Sequence, residues 1–367
     1  NKDGESNMAS NREGFRIDQQ ELSDFVSLVF QRLGVPQEDA MIAARVLVLA
    51  DLRGVDSHGV VRVSPHGWYV KAFRDGMINP KPEIRITQET PASALIEGDG
   101  GLGMVVGHRA TELAIQKARQ VGIGFVAVRN SRHFGMAAYY SMLALSHDMI
   151  GISMTNAGRQ VVPTFGREAK YGTNPISLAA PAGEEPAFVL DMATTTAAAG
   201  KLEIAARLGE SIPLSWALDK EAWPTTDPRV AQQARRLLPL GGTREGGSHK
   251  GYGLAIMVEI LSGILTGSAA AHGSPHVAVR GHFFGAVNIA SFRSVEAFKR
   301  DLDQLLRELK ATAPVEGQDR VYVAGEIEHE IAQERTTNGI PLHPSVIHSL
   351  RELSRQFDIP LPPIGDP

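Results

Sequence analysis

The ten residues Arg53-Gly54-Val55-Asp56-Ser57-His58-Gly59-Val60-Val61-Arg62 gather a hydroxyl, an imidazole, two glycines and two guanidinium groups, directly after a long apolar run. That is more chemistry than a connecting loop requires, and loops carried on a rigid scaffold are frequent seats of catalysis. Among these side chains only His58 has an ordinary pKa near neutrality, which suits it to give or take a proton. Arg62, four residues on, has the planar fork that grips a carboxylate through two parallel hydrogen bonds. A plainer reading stands on the same residues: Ser57 caps a helix, His58 bonds a backbone carbonyl and Arg62 is a solvated charge.

The elements around this stretch can be read from spacing. Asp18 is placed to cap a helix, with Glu21 reaching back and Ile17 and Leu22 as a hydrophobic staple, and Gly34 ends that helix. Pro36 opens a second helix whose run from Met41 to Ala50 is apolar on nearly every face, so it should be buried, and it delivers the chain to His58. A short helix from Trp68 to about Met77 precedes a linker at Asn79-Pro80-Lys81-Pro82. Beyond it the pattern is mixed α/β, with strands expected over 83–87, 93–97, 124–128, 150–155, 176–180 and 188–192, and helices over 104–121, 195–208, 251–265, 295–309 and 344–356. The prolines and glycines between Pro213 and Gly247 mark a long loop region suited to a lid or a partner-facing surface.

Gly98-Asp99-Gly100-Gly101-Leu102-Gly103 satisfies the dinucleotide pattern G-x-G-x-x-G between a strand and a helix. That fingerprint also needs an acidic residue about 20 positions later for the ribose, and after Glu112 no Asp or Glu occurs until Asp148. A glycine-rich turn that starts a helix is therefore the preferred reading. Metal hydrolysis is a rival that the 12 histidines invite. No H-E-x-x-H helix is present, however, and Pro275 separates His272 from His276 on any common helix face.

The chain has 367 residues, 43% hydrophobic and 21% charged, which is enough to bury one or two substantial cores. Its net charge of -4, without blocks of like charge, argues against nucleic acid and polybasic membrane contact. No apolar run is long enough to span a bilayer and no secretory pattern is visible, so a cytoplasmic location is expected. With no cysteine there are no disulfides, thiolates or thiolate-bound metals. Residues 1–10 are small and polar, read as a leader or a disordered end.

Three later segments complete a pattern: RHFGMAAYY at 132–140, YGTNPISLAAP at 171–181 and SHKGYGLAIMVE at 248–259. With residues 53–62 they resemble the signature of the malate/L-lactate dehydrogenase family of the non-Rossmann type. That family includes ureidoglycolate and sulfolactate dehydrogenases, 2,3-diketogulonate reductase and piperideine-2-carboxylate reductase. The likeness runs from about residue 15 to about residue 350, with the motifs in family order.

The resemblance implies an α+β fold: a helical domain from N- and C-terminal segments and a mixed, largely antiparallel sheet that binds NAD or NADP without being a Rossmann fold. The corresponding boundaries are 15–80, carrying the Ser-His-Gly motif, 81–290 for the nucleotide domain, and 291–367 packing back on the first part. The implied activity moves hydride between nicotinamide and a small 2-hydroxy or 2-oxo acid, of malate/oxaloacetate or lactate/pyruvate type. Reduction of a cyclic imine acid, oxidation of ureidoglycolate or sulfolactate, and a non-catalytic nucleotide sensor are the alternatives. By the same likeness His58 is the proton donor and acceptor, Ser57 and Asp191 its relay partners, and His133 a second active-site imidazole, with the acid/base role open between His58 and His133. Arg62 and Thr155 would bind substrate. Ser131, Arg132, His133, Phe134, Gly135, Thr173, Asn174, Pro175, Met192, Ala193, Thr194, His249, Lys250 and Gly251 would bind cofactor. A homodimer is implied as well. In two places the sequence departs from many relatives: Thr243–Ser248 is longer, and His66 stands where some carry a substrate-facing aromatic.

Overall fold

The computed structural model describes residues 15–65, 67–268 and 279–365. His66, residues 1–10 and the His272–His276 pair lie outside them.

Asp18 caps the Gln19–Arg32 helix, its carboxylate accepting from the amides of Gln20 at 2.7 Å and Glu21 at 3.2 Å. Pro36 precedes the Gln37–Leu52 helix, in which Ala40, Ala43, Ala44, Val46, Leu47 and Ala50 are all fully buried. An all-round apolar helix needs neighbours on every side. Here they are the first helix, the Gly103–Val121 helix and, from far along the chain, the Glu326–Asn338 helix. The short strands β1 (Phe15–Ile17) and β9 (Ile340–Leu342) pair antiparallel, and Leu350 and Leu353 of the Pro344–Phe357 helix join the same core as Leu22 and Phe30.

The main sheet is built from β2 (Arg85–Glu89), β3 (Ser93–Glu97), β4 (Ile123–Ser131), β5 (Met149–Thr155), β6 (Ile176–Ala180), β7 (Phe188–Met192) and β8 (Arg280–Asn288). Their spatial order is β2-β3-β4-β8-β5-β6-β7, and every neighbouring pair is antiparallel except β3 and β4. That one parallel pair is joined by the Gly103–Val121 helix, as a parallel crossover requires. The sheet is thus mixed and largely antiparallel, and it is not the doubly wound parallel sheet of a Rossmann fold.

Spacing misplaced several elements. β8 was not expected, yet it lies at the sheet's centre and is the strand that joins β4 to β5. Gly281 and Gly285 interrupt its alternation: a Cβ at Gly281 would overlap the Ser262 carbonyl, and at Gly285 it would lie 2.8 Å from the Phe125 ring. The helix expected from 195 begins at Ala199. The one expected from Gly251 begins at Ser248 and becomes a π-helix over Glu259–Ile264. The region from Pro213 to Gly247 contains the Pro228–Ala234 helix, and Ile212, Ala217, Ala231 and Leu237 pack there with Val161, Leu202 and Ala255 in a small core of their own.

The glycine-rich turn has a packing role. At Gly103 a Cβ would overlap the backbone carbonyl of Arg132 and come 2.6 Å from that of His133, and at Gly98 it would lie 3.1 Å from the carbonyls of Arg129 and Asn130. Gly98 and Gly103 are thus set against the 129–133 backbone, while Gly101 meets Pro82, so the start of the Gly103–Val121 helix is occupied by protein. Gly103→Ala should therefore cost about 1–3 kcal/mol of stability by overpacking. Gly253→Ala, inside a helix where a Cβ meets nothing within 4 Å, should add about 0.5–1 kcal/mol. Urea denaturation of both variants checks this, and a Gly103→Ala midpoint equal to wild type would refute the packing role.

Candidate active site

The Gln37–Leu52 helix ends in two buried charged residues, Asp51 and Arg53, and the chain then makes two short 3-10 turns, Asp56–His58 and Val60–Val63. Asp51 holds the second turn by accepting from the Val60 amide at 2.7 Å. Gly59 permits this approach, because a Cβ there would overlap the Asp51 carboxylate. Burial pushes the Asp51 carboxyl well above the usual range, against the pull of the Val60 amide. From the far end of the chain Arg335 donates to the Asp51 carbonyl and to the Asp56 carboxylate, the latter at 2.7 Å. The turn is clamped from both sides.

Within this frame Ser57 Oγ and His58 Nδ1 are 2.9 Å apart, and Arg62 Nε donates to the Ser57 carbonyl at 2.6 Å. Among the described residues the two terminal nitrogens of Arg62 have no hydrogen-bond partner. His133 lies beside His58, the rings stacked with centroids 5.9 Å apart. Its Nδ1 accepts from the Gly135 amide at 3.3 Å and meets the Tyr69 hydroxyl at 2.7 Å. A backbone amide can only donate, so Nδ1 carries no proton, Tyr69 must donate to it as well, and neutral His133 bears its hydrogen on Nε2. Trp68 covers the ring, its centroid 5.6 Å away. Gly135 is left-handed, at φ 78°, and a Cβ there would sit 2.7 Å from Val46 of the buried helix. Gly251 likewise packs against Leu240. Both glycines serve close packing of the protein on itself.

Electrostatics keep both imidazoles neutral. Burial, and secondarily the Arg62 charge, lower His58 to about 4. His133 is pushed well below its ordinary value, by burial first and then by His58, Arg62, Arg280 and His282. Asp191 stands at the end of β7, open to solvent yet ringed by enough protein that lost hydration raises its carboxyl to about 6, while the Ala138 amide, donating at 2.8 Å, and Arg53 pull the other way. Asp191 makes no direct hydrogen bond to His58 or Ser57 among the described residues.

A second layer lies beneath. His282 of β8 is buried between Thr155 Oγ1 at 2.7 Å and Ser131 Oγ at 2.9 Å, and its ring stacks on Phe134 at 4.9 Å. Thr155 gives its hydrogen to the carbonyls of Gly281 and Asn156, so it accepts from His282 Nδ1, which leaves Nε2 to accept from Ser131. The hydroxyls of Ser131 and Thr155 are therefore both committed inside the protein. Arg132 is spent on the carbonyls of Met77 and Ser131.

The other expected cofactor residues are knitted together. Thr194 donates twice to the Thr173 carbonyl, and Asn174 reaches the Ala255 carbonyl in the Ser248–Val258 helix. Leu240 joins the Thr194 carbonyl and packs on Gly251. Pro175 leads into β6 on this surface, with Met192 and Ala193 half-buried beside it. His249 and Lys250 are exposed in the first turn of that helix, His249 against Arg244 at 3.0 Å and Lys250 without an ion-pair partner among the described residues. Unpaired positive charge at the start of an eleven-residue helix, next to hydroxyl- and glycine-lined backbone, fits a dinucleotide. Sequence reasoning missed Tyr69, Asp51, Arg335 and His282. Tyr69 and His282 were visible only as members of helix and strand patterns, and Asp51 only as the end of an apolar helix.

The neutral state of the histidines is testable directly. In an NMR titration the His58 and His133 ring signals should stay flat from pH 8 to 5.5. Arg62→Met should raise the His58 pKa from about 4 without restoring 6.5, since burial is the larger cause. Titration of wild-type His58 near 6.5 would contradict the geometry.

With this geometry in hand, comparison places the chain among known proteins. The family model described as malate/L-lactate dehydrogenase matches residues 17–351. The chain is 44% identical over 349 residues to malate dehydrogenase of Pyrococcus horikoshii, covering 94% of this chain and 96% of that protein. It is 43% identical over 339 residues to L-sulfolactate dehydrogenase of Methanocaldococcus jannaschii, covering 90% and 94%. The crystal structure of malate dehydrogenase from Entamoeba histolytica superposes with a TM-score of 0.90 at 36% identity, covering 95% of this chain and 99% of that one.

Proposed function

The chain belongs to the malate/L-lactate dehydrogenase family and is a hydroxyacid dehydrogenase acting on a CH-OH group, and from that premise we propose that it uses NAD or NADP to interconvert a small 2-hydroxy acid and its 2-oxo acid, with His58 as the proton-transfer residue. The observation that carries this reading is the stacked pair of neutral imidazoles beside the free fork of Arg62. We place the enzyme in the cytoplasm, as its cysteine-free composition suits.

The division of labour follows from the hydrogen bonds. Arg62 takes the substrate carboxylate on its two terminal nitrogens, while its Nε, bound to the Ser57 carbonyl, fixes the direction of the fork. For His58 to act as base in oxidation, Nε2 must be bare, so Nδ1 carries the hydrogen and Ser57 Oγ accepts it. Neutral His58 then takes the hydroxyl proton. His133 has Nδ1 filled by Gly135 and Tyr69, which leaves Nε2-H to donate to the same substrate oxygen and polarise it in reduction. Trp68 and Tyr69 exclude water from this face. Ser131–Gly135, Thr173–Pro175, Met192–Thr194 and His249–Gly251 would hold the nucleotide, with Lys250 toward its phosphates. The chemistry that bound nicotinamide supplies is uptake of the hydride from the carbinol carbon, or its delivery in reverse. Asp191 and Arg53 set the charge at the edge of this pocket.

Absorbance of NADH or NADPH mixed with a panel of 2-oxo acids should fall with the wild-type enzyme. His58→Ala should lose about 10²–10⁴ in turnover, and His133→Ala about 10²-fold or more, as for loss of one donor to a developing oxyanion. Near-normal turnover in His58→Ala with loss only in His133→Ala would reverse the two roles. We further propose a homodimer, in which a second copy covers the apolar side chains of Ile260, Ile264 and Leu265, the latter two more than half exposed. Sedimentation at micromolar concentration should give twice the 39.5 kDa chain mass, and a monodisperse monomer would refute it.

A further inference from the structure

β8 brings a second guanidinium to the end of the sheet where the site lies. Arg280 pairs with Ser131 in the strand register, and alternation along β8 puts it on the same face as His282, whose ring stacks on Phe134 next to His133. Its side chain reaches toward the loop that follows β5 and Thr155: a Cβ at Gly158 would lie 3.2 Å from Arg280 Nη2. The one hydrogen bond it makes among the described residues is Nη1 to its own neighbour's carbonyl, Val279, at 2.9 Å. Nε and Nη2 have no acceptor there. No carboxylate among the described residues lies within ion-pair distance.

The acid that acts on Arg280 from nearby is Glu259, and its carboxylate already holds the side-chain amides of Asn156 and Asn174, each at 3.2 Å. Burial accordingly depresses the Arg280 pKa, and the neighbouring Arg132 adds to that. Arg280 is also one of the two guanidinium groups that help keep His133 neutral, Arg62 being the other. A half-buried guanidinium with no ion pair, whose one nearby acid is shared with two amides, is costly to the empty protein. The cost is recovered when a ligand supplies the missing anion. Arg62 already accounts for one carboxylate, so a 2-hydroxy acid with a single carboxylate leaves Arg280 unanswered.

We propose that Arg280 is a specificity-determining residue that binds a second anionic group, a carboxylate or sulfonate carried beyond the carbinol carbon, so that the enzyme selects dianionic 2-hydroxy and 2-oxo acids over monoanionic ones. The proposal rests on the hydroxyacid dehydrogenase reading above and adds the charge of its substrate. Gly158 belongs to the same device, since a larger residue would crowd Nη2.

The test compares oxaloacetate, a dianion, with pyruvate, a monoanion, in wild type, Arg280→Gln and Arg280→Lys, at saturating reduced nucleotide. Wild type should favour oxaloacetate by about a hundredfold or more in kcat/KM, the scale of one charge-assisted contact in a desolvated site. Arg280→Gln should lose about tenfold to a hundredfold with oxaloacetate, through KM more than kcat, and clearly less with pyruvate. Arg280→Lys should keep part of the preference. Equal losses on both acids in a variant that melts like wild type would overturn the proposal in favour of a structural role, and a rise only in the KM of the nucleotide would overturn it in favour of a phosphate contact. Wild type that reduces pyruvate as readily as oxaloacetate overturns the Arg280 assignment alone. Wild type that binds nucleotide but reduces no 2-oxo acid overturns the dehydrogenase reading and this proposal with it.

Discussion

His282 receives a hydrogen from Ser131 and gives one to Thr155, and through these two bonds a single neutral ring joins the ends of β4, β8 and β5. Burial holds it neutral, at about 3, and neutrality is what allows the arrangement. A protonated ring would donate from Nε2 as well as Nδ1, and Ser131, which gives its hydrogen to Nε2 of the neutral ring, would have to turn that hydrogen away. The loop from Arg132 to Gly135 starts from one of these anchored ends, Asn156 to Gly158 from another, and Arg280 sits on the third. Phe134, stacked on the His282 ring, transfers that rigidity to His133. A site built on strand ends held this way needs little further ordering when substrate arrives.

Above that layer the pocket is built from imidazoles that stay uncharged among guanidinium groups that cannot lose their charge. Desolvation does most of this, and Arg62 does the rest for His58. The empty pocket is therefore positive, and an anionic substrate improves it by entering. Its carboxylate offsets the very charge that depresses His58, so the base strengthens when substrate is in place.

Much of this was legible in the sequence, and the parts that were not share a physical cause. The Ser57-His58-Arg62 cluster carries its chemistry in neighbouring residues, so spacing raises it as a candidate, and the family resemblance, which also marks the RHFG loop, decides for it. The Asp18 cap and the buried helix to Leu52 follow from local rules and appeared where expected. The central strand β8 was invisible because glycines demanded by close neighbours break its alternation. The Glu326–Asn338 helix was missed because its residues, EIEHEIAQERTTN, show almost no apolar face: it is held by polar contacts such as Arg335 to Asp56. The tempting G-x-G-x-x-G motif was judged correctly for a reason the sequence contained, the missing acid, but its true purpose needed coordinates. Its first and last glycines, Gly98 and Gly103, yield space to the backbone that carries His133. Pairings such as Tyr69 with His133 depend on a turn of tertiary structure that no local pattern encodes.

The clamp on the Ser57-His58 turn also fixes a sequence of events. Arg335 meets the Asp51 carbonyl and the Asp56 carboxylate across 284 and 279 residues of chain. Contacts of such separation close late, because the entropy of so long a loop must be overcome first, and they slow the final stage of folding. A chain leaving the ribosome can form its first helices and most of the sheet while the proton-transfer turn is held from one side only, by Asp51. The proton-transfer turn is therefore complete only once residue 335 has emerged and docked, and the same late segment brings β9 and Leu350 and Leu353 into the core of the first helices.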